Sequence, residues 1–250
     1  DTVQGLEGLP VLFIPINYVK SRKSSTTVVR PTFDCGSKGR NPFSFNEIHS
    51  GGPSMDNLAR TIAFCRSFEY FAVTDLTKSY WSIATDLMTQ SLQRLWLLVN
   101  PETGLIDFGC KLGVWTEYLT TTLNFGQKAA SVALKVTLWT GADNLPVDSP
   151  VRTAVRSAMY VDDLPTVAES AKELETIRRD ADAFLDSLGF STHGWVGNEQ
   201  VLQQVLDEDY GSFRNLPKIF GYRYCSKTDQ FFIEININLY GKSRGVYVGP

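Results

Sequence analysis

The sequence predicts an α+β fold for this 250-residue chain, and three observations lead there. Runs rich in β-branched and aromatic residues, such as 26–33 and 69–75, have the composition of strands. Val167, Ala171, Leu174, Ile177, Ala181, Leu185 and Leu188 recur at helical spacing, the stripe of an amphipathic helix. The first strand-like runs are joined by a short polar turn, which reads as a hairpin and so as antiparallel pairing.

The elements follow in order. Residues 9–19 hold apolar runs broken by Pro10 and Pro15, an extended or edge segment. Residues 20–25 are a basic polar turn and residues 26–33 the returning strand. This hairpin carries Lys20, Arg22, Lys23 and Arg30. Guanidinium forks bind phosphate oxygens in pairs, so the hairpin reads either as a triphosphate clamp or as a solvated basic surface. Residues 35–53 are loop-like. Ser54 is the expected cap of a helix through Arg66, with Leu58, Ile62 and Cys65 on its inner stripe. Residues 69–75 read as a buried strand ending in Asp75, five residues before Tyr80. A short helix at 88–94, a strand at 95–99 and a turn at 100–104 come next, with two strands inside 105–123. The alanine-rich run after Gly126 predicts a helix to about Thr140 stopped by Gly141, with Lys128 in its first turn. Thr166 and Glu169 are expected to form the capping box of the long amphipathic helix, which Gly189 ends. Short strands at 190–196 and 219–224, a turn at 227–229 and a strand at 231–239 close the chain.

Composition excludes several classes. No apolar run approaches the length needed to span a bilayer, so no membrane partner is expected. Residues 1–8 lack Met and a basic region and are not a signal peptide. Residues 246–250 stop without terminating structure, so the chain is expected to be cut from a longer one. Cys35, Cys65, Cys110 and Cys225 are widely spaced without a CxxC pair, which argues against zinc and for reduced intracellular thiols. Net charge is −3, yet its distribution is uneven. Residues 15–45 carry six Lys/Arg against one acid, residues 160–210 three against twelve, and residues 211–250 six against two. A metal-bearing centre between phosphate-facing walls fits that pattern, and so do solvated faces.

Chemistry concentrates at residues 158–165, where a short apolar run meets the adjacent carboxylates Asp162 and Asp163 and Pro165 follows. A strand running into a tight turn would hold both acids at a sheet edge. Magnesium, a hard cation, takes carboxylate and phosphate oxygens, and two-metal phosphoryl transfer asks the protein mainly to position ions and substrate. A solvated acidic hairpin is the other reading of four such residues. Asp75 is the candidate for an opposing carboxylate that bridges two metals.

Several stretches together resemble the polymerase region of the reverse transcriptases of BEL/Pao-type LTR retrotransposons. Residues 29–38 and 45–53 are similar to that family's fingers segments. Residues 71–80 resemble its first catalytic block, residues 119–129 its template-facing block, and Tyr160, Val161, Asp162, Asp163 and Leu164 its second catalytic block. Gly189, Phe190 and residues 195–198 are similar to its last palm elements. The blocks stand in family order over about residues 10–240.

The resemblance implies a right-hand polymerase of fingers and palm, an antiparallel palm sheet backed by helices, and an incomplete thumb. It divides the chain into fingers at 1–66 and 87–118, palm at 67–86 and 119–210, and the palm end with the start of the connection to the thumb at 211–250. It implies an RNA-directed DNA polymerase using two Mg²⁺ ions, with Mn²⁺ as a substitute. Asp75, Asp162 and Asp163 would be catalytic, and Asp75, Asp162 and the Leu76 carbonyl would hold metal. Lys20, Lys23, Arg30, Tyr80, Phe125, Gly126 and Gln127 would bind the dNTP, Tyr80 as the steric gate against a 2′-hydroxyl. Trp195, Val196 and Gly197 would form the primer grip. Partners would be a primed RNA or DNA template, dNTPs, and the remaining Pol polyprotein (thumb, RNase H, protease and integrase), in a cytoplasmic virus-like particle. Two positions depart from the family pattern: Ser131 stands where a proline is usual, and Gly194 where relatives often carry a basic residue, with His193 beside it. These departures keep open a second reading, a decayed or domesticated fragment that binds nucleic acid or protein without polymerising. A viral RNA polymerase palm is a third, against which Tyr80 and the absence of Gly-Asp-Asp argue.

Overall fold

The structure, a computed structural model, describes residues 6–20, 29–40, 42–49, 51–52, 57–107, 109, 111–198 and 216–233. In chain order the elements are β1 (Ile16–Lys20), β2 (Val29–Phe33), α1 (Phe45–Ile48), α2 (Leu58–Arg66), β3 (Tyr70–Thr77), a 3₁₀ turn (Ser79–Ser82), α3 (Leu87–Ser91), β4 (Arg94–Val99), β5 (Val114–Leu119), α4 (Ala130–Ala142) and α5 (Pro150–Ser157). They continue with β6 (Asp163–Ala168), α6 (Ala171–Ser187), β7 (Ser191–Gly197), β8 (Lys218–Ile219), β9 (Tyr222–Cys225) and β10 (Gln230–Phe232). The fold is mixed, and every pairing between these strands is antiparallel. Two compact units divide the chain: Asp1–Ser54 with Lys78–Val136, and Met55–Thr77 with Thr137–Pro250.

The first unit contains the hairpins β1–β2 and β4–β5. Its core joins Leu12, Ile14, Cys35, Phe45, Leu92, Leu95 and Leu97. The segment before β1 is pinned beside β4, where Ile14 N–H donates to the Arg94 carbonyl at 2.9 Å and Arg94 N–H to that of Leu12 at 3.1 Å. Buried amides cross-link the following turns. Asn124 Nδ2 donates to Gln93 Oε1 at 3.2 Å and to Thr120 Oγ1 at 2.8 Å, and Gln127 Nε2 also donates to Gln93 Oε1. A buried side-chain amide must be paired or it costs the desolvation of its dipoles, so this network holds residues 124–127 in one shape.

The second unit is built on a three-stranded sheet of order β6–β3–β7. The central strand is buried on both faces, which explains the unbroken run Phe71, Ala72, Val73, Thr74. Phe71 and Val73 pack with Cys65 of α2 and with Ile219, Phe220 and Tyr224 of the small sheet β8–β9–β10. Helix α6 lies against β3, β6 and β7 and buries Leu174, Ile177, Ala181, Phe184 and Leu185. Leu174, Ile177, Ala181 and Leu185 belong to the stripe that the sequence spacing predicts; Phe184 joins them, and Val167, expected on the same stripe, lies in β6 before the helix.

Several boundaries differ from the sequence expectation, each for a physical reason. The acids precede a strand and do not end one: Ala158 caps α5, Asp162 lies in a turn, and β6 starts at Asp163. Thr166 caps no helix. It sits inside β6, buried, and donates to the Ala72 carbonyl at 3.2 Å. Ser170 is the cap instead, accepting from Glu173 N–H at 3.3 Å, while Glu173 accepts from Glu169 N–H. Pro165 is accommodated because β6 is an edge strand of the sheet. Asn57, which accepts from Arg60 N–H, caps α2 in place of Ser54, which lies outside the described residues. Helix α3 is one turn long, and Arg94 belongs to β4. The described residues of 105–123 supply one strand, β5, with Ile106 bridging Val99 and Thr122 bridging Ala84. The run at 219–224 folds back on itself at Phe220 and Gly221.

Gly141 does not stop α4; the helix runs through it to Ala142. A methyl group there would meet Leu188 Cδ1 at 2.5 Å, so the glycine permits close packing on the end of α6. Gly141→Ala removes the entropic penalty of glycine in a helix but overpacks this contact. A net loss of about 1–2 kcal/mol is expected in urea unfolding; a stabilised variant would show that Leu188 yields freely.

Candidate functional site

Two clusters gather the residues singled out in the sequence, one in each unit. In the second unit, β3 delivers Asp75 on the same face as Phe71 and Val73, directly opposite Asp163 in the register with β6. Residues 160–163 form a tight reverse turn. Tyr160 N–H donates to the Asp163 carbonyl at 3.0 Å, and Asp163 N–H returns the bond to the Tyr160 carbonyl at 2.8 Å. Val161 has φ +53°, positive at the first central position, as in a II′ turn. A β-branched residue in that region is strained by on the order of 1–3 kcal/mol. Leu76 N–H donates to the Asp162 carbonyl at 3.1 Å and ties the turn to β3 beside Asp75.

The other flank of Asp75 is a bulge. Thr74 pairs with Trp195 and Leu76 with Thr192, so His193 and Gly194 together face one residue of β3. Gly194 has φ +96°, a conformation that L side chains rarely adopt, which is a backbone reason for glycine at this site. The threonines on either side of Asp75 hold the bulge. Thr74 Oγ1 donates to the Gly194 carbonyl at 2.8 Å, and Thr77 Oγ1 lies 3.0 Å from His193 Nδ1.

A cleft of about 470 Å³ opens over these groups. Asp75, Asp162, Asp163, His193 and Val196 line it on one side, and Lys218 and Phe220 on the β8–β9 hairpin line it on the other. Phe220 and Gly221 both have positive φ, the signature of a I′ turn. This turn presents Phe220 N–H to Asp163 Oδ2 at 3.0 Å. Burial, then the charge of Asp162, push the Asp163 carboxyl up to about 7, against the Phe220 N–H, which pulls it down. Asp75 is raised by burial and by Asp162, with His193 acting the other way, although its side chain reaches solvent. Asp162 is raised by burial. Three carboxylates that resist ionisation together mark a site that gains from a cation.

Among the described residues no group of three or more His, Cys, Asp or Glu converges closely enough to hold a metal ion alone. Asp163 is engaged with Phe220, which leaves Asp75 and Asp162. Magnesium is commonly held by one or two carboxylates and completes its shell with water and substrate phosphates. An all-oxygen pair at the mouth of an open cleft fits that cation.

In the first unit Tyr80 is 8% exposed, its ring edge-on to Phe125 at 4.9 Å, and Trp81 meets Phe125 at 6.0 Å. Gly126 has φ +95°, and a methyl group there would strike the Phe33 carbonyl at 2.5 Å. Its own carbonyl accepts from Asn46 Nδ2 at 2.9 Å. Gln127 is buried in the amide network. Tyr80, Phe125, Gly126 and Gln127 are thus one local assembly. Lys20 and Arg30 lie on the β1–β2 hairpin, where Arg30 pairs with Val19 and Lys20 with Val29. Lys23 lies outside the described residues.

The residues expected as a primer grip separate. Trp195 is buried, and its indole N–H donates to Asp182 of α6 at 3.0 Å. Gly197 lies against the Phe71 carbonyl with no room for a side chain. Val196 faces the cleft. Sequence reasoning missed the β8–β9 turn as a cleft wall, because residues 219–224 read as one strand. Gly221 after an apolar pair was the available turn signal.

No protein-family model matches the chain, and no curated protein does. Among solved structures it is similar to native prototype foamy virus protease-reverse transcriptase, with a TM-score of 0.48 and 12% identity over 74% of this chain and 21% of that one. The CSH mutant of that enzyme gives 0.48 and 14% over 72% and 20%. A foamy viral protease-reverse transcriptase in complex with an RNA/DNA hybrid gives 0.44 and 16% over 74% and 20%. The chain therefore spans about a fifth of the length of these proteins.

Proposed function

We propose that the chain is the fingers and palm of an RNA-directed DNA polymerase of the BEL/Pao retrotransposon type. The observation that carries this reading is the meeting of Asp75, at the end of a buried strand, with Asp162, on a strained turn, at an open cleft. In this reading residues 67–86 and 119–210 are palm, with the acids of the second unit among them, and residues 1–66 and 87–118 are fingers. Asp75 and Asp162, with the Leu76 carbonyl, would hold Mg²⁺, which supplies charge neutralisation for the phosphates and activation of the attacking hydroxyl. The two carboxylates would orient the primer 3′-hydroxyl toward the dNTP α-phosphate. Asp163, bonded to Phe220, would keep the turn and the β8–β9 hairpin in register, and Lys218 would meet primer phosphate. His193 would give a proton to the departing pyrophosphate, a role that the positive φ of Gly194 closes to a side chain at position 194 itself. Arg30 with Lys20 or Lys23 would hold the triphosphate. Template, dNTPs, the other Pol segments and a virus-like particle complete the proposal.

The test is primer extension on an RNA template with Mg²⁺ or Mn²⁺, using a chain extended through the thumb. Template-dependent dNTP incorporation supports the reading. Its absence under both metals, with primer–template binding retained, would favour the non-polymerising fragment, for which Gly194 and Ser131 speak.

Tyr80, packed edge-on against Phe125, supports a rigid sugar-sensing surface. In Tyr80→Ala the discrimination between dNTP and rNTP should fall at least tenfold, read as the ratio of kcat/KM values for dCTP and CTP; an unchanged ratio would remove Tyr80 from the gate. The hydroxyl-bearing substrate is rejected sterically, so loss of the ring should raise rNTP use more than it lowers dNTP use.

A further inference from the structure

A second groove of the second unit, about 630 Å³, lies away from the acidic cleft. One wall is the loop from Leu145 to the start of α5, and the other is a stripe of α6 that includes Asp180, Ala183 and Phe184. The floor is apolar, with Val151 and Phe184 buried beneath it, and Val147 stands 83% exposed in the loop that forms one wall. Pro146 and Pro150 stiffen the loop, and Ser149 Oγ is committed to capping α5 by accepting from Arg152 N–H. Ser187 Oγ is likewise committed to the Phe184 carbonyl at 2.6 Å. The charged groups of the groove are Asp148 on one wall and Asp180 on the other, both exposed and, among the described residues, neither in an ion pair. The nearby arginines are already used: Arg152 and Arg156 on Asp143, and Arg178 on Glu175.

We propose that this groove docks a segment of a partner protein that presents an apolar side chain flanked by lysine or arginine. Charge complementarity selects the occupant. Two unpaired carboxylates across an apolar floor repel phosphate, which excludes nucleic acid and anionic lipid headgroups, and they attract a cation that can lay its aliphatic stem along the floor. A pre-shaped loop lowers the ordering cost of binding. The surface is independent of the proposed polymerase site, so its occupant would tether or regulate the chain without entering catalysis.

The test is selection of linear dodecapeptides displayed on phage against the full chain. Selected peptides should share an apolar residue beside Lys or Arg, and a synthetic representative should bind at least tenfold more weakly to the Asp148→Lys, Asp180→Lys double variant. Ala183→Trp, which fills the groove without changing charge, should weaken it as much, and binding should fall with added salt. Primer extension should be unchanged in both variants. Absence of enrichment, selection of acidic peptides, binding by either variant as tight as by the parent chain, or capture of phosphatidylserine vesicles at this face would each overturn the proposal.

Discussion

Asp75→Ala and Asp162→Ala should each lower primer extension about a thousandfold or more, the consequence of losing several kcal/mol of charge stabilisation at the reacting phosphate. Neither substitution should unfold the chain. The Asp75 carboxylate is raised by burial and by its acidic neighbour and gains nothing from a hydrogen bond, so its removal relieves repulsion. The Asp162 backbone carbonyl, which holds the turn to Leu76, survives substitution of the side chain. Circular dichroism and urea unfolding should match the unsubstituted chain or show slight stabilisation. Incorporation retained by either purified variant would sink the polymerase assignment.

The second large effect concerns stability without divalent metal. Asp163 titrates at about 7 in the folded chain, against an ordinary carboxyl near 4 in the unfolded one. Between these values the folded state binds more protons than the unfolded state. Its stabilising contribution is therefore complete below about pH 4 and is lost as pH rises through 7. In EDTA, unfolding free energy should fall by on the order of 2–4 kcal/mol across that window. Asp163→Asn removes the titration while keeping an oxygen to accept from Phe220 N–H. The variant should be more stable than the parent at pH 8 by about the same amount, and its profile across the window should be flatter. A parent whose stability rises with pH from 4 to 7 would contradict the burial and charge argument. Addition of Mg²⁺ at pH 8 should raise the parent's melting temperature, since a bound cation offsets the same repulsion.

The correspondence between sequence and structure is closest where local pattern and tertiary environment agree. The stripe of α6 was legible because 3.6-residue periodicity survives in any globular context. Strand β3 was legible because an apolar run of its length is buried on both faces. Helix starts were less so. Thr166 and Glu169 satisfy a capping box as well as Ser170 and Glu173 do, and the choice falls to β6, which needs Thr166 for pairing with Ala72. Gly141 reads as a stop, yet its role is set by Leu188, a residue far along the chain.

For the candidate site, the residues themselves determined the acids, their adjacency, and the aromatic–glycine segment that carries Phe125 and Gly126. These follow from side-chain chemistry that holds in any fold. What tertiary structure decided is which groups meet. The register of β3 with β6 sets Asp75 opposite Asp163, the bulge in β7 turns His193 and Gly194 toward Asp75, and the β8–β9 turn reaches Asp163 from the other wall of the cleft. The same contacts bury Trp195 against α6 and keep it out of the lining of the cleft. Strand register and long-range turns are selected by packing between distant segments, and a one-residue slip would reverse every face, so local periodicity carries no record of them.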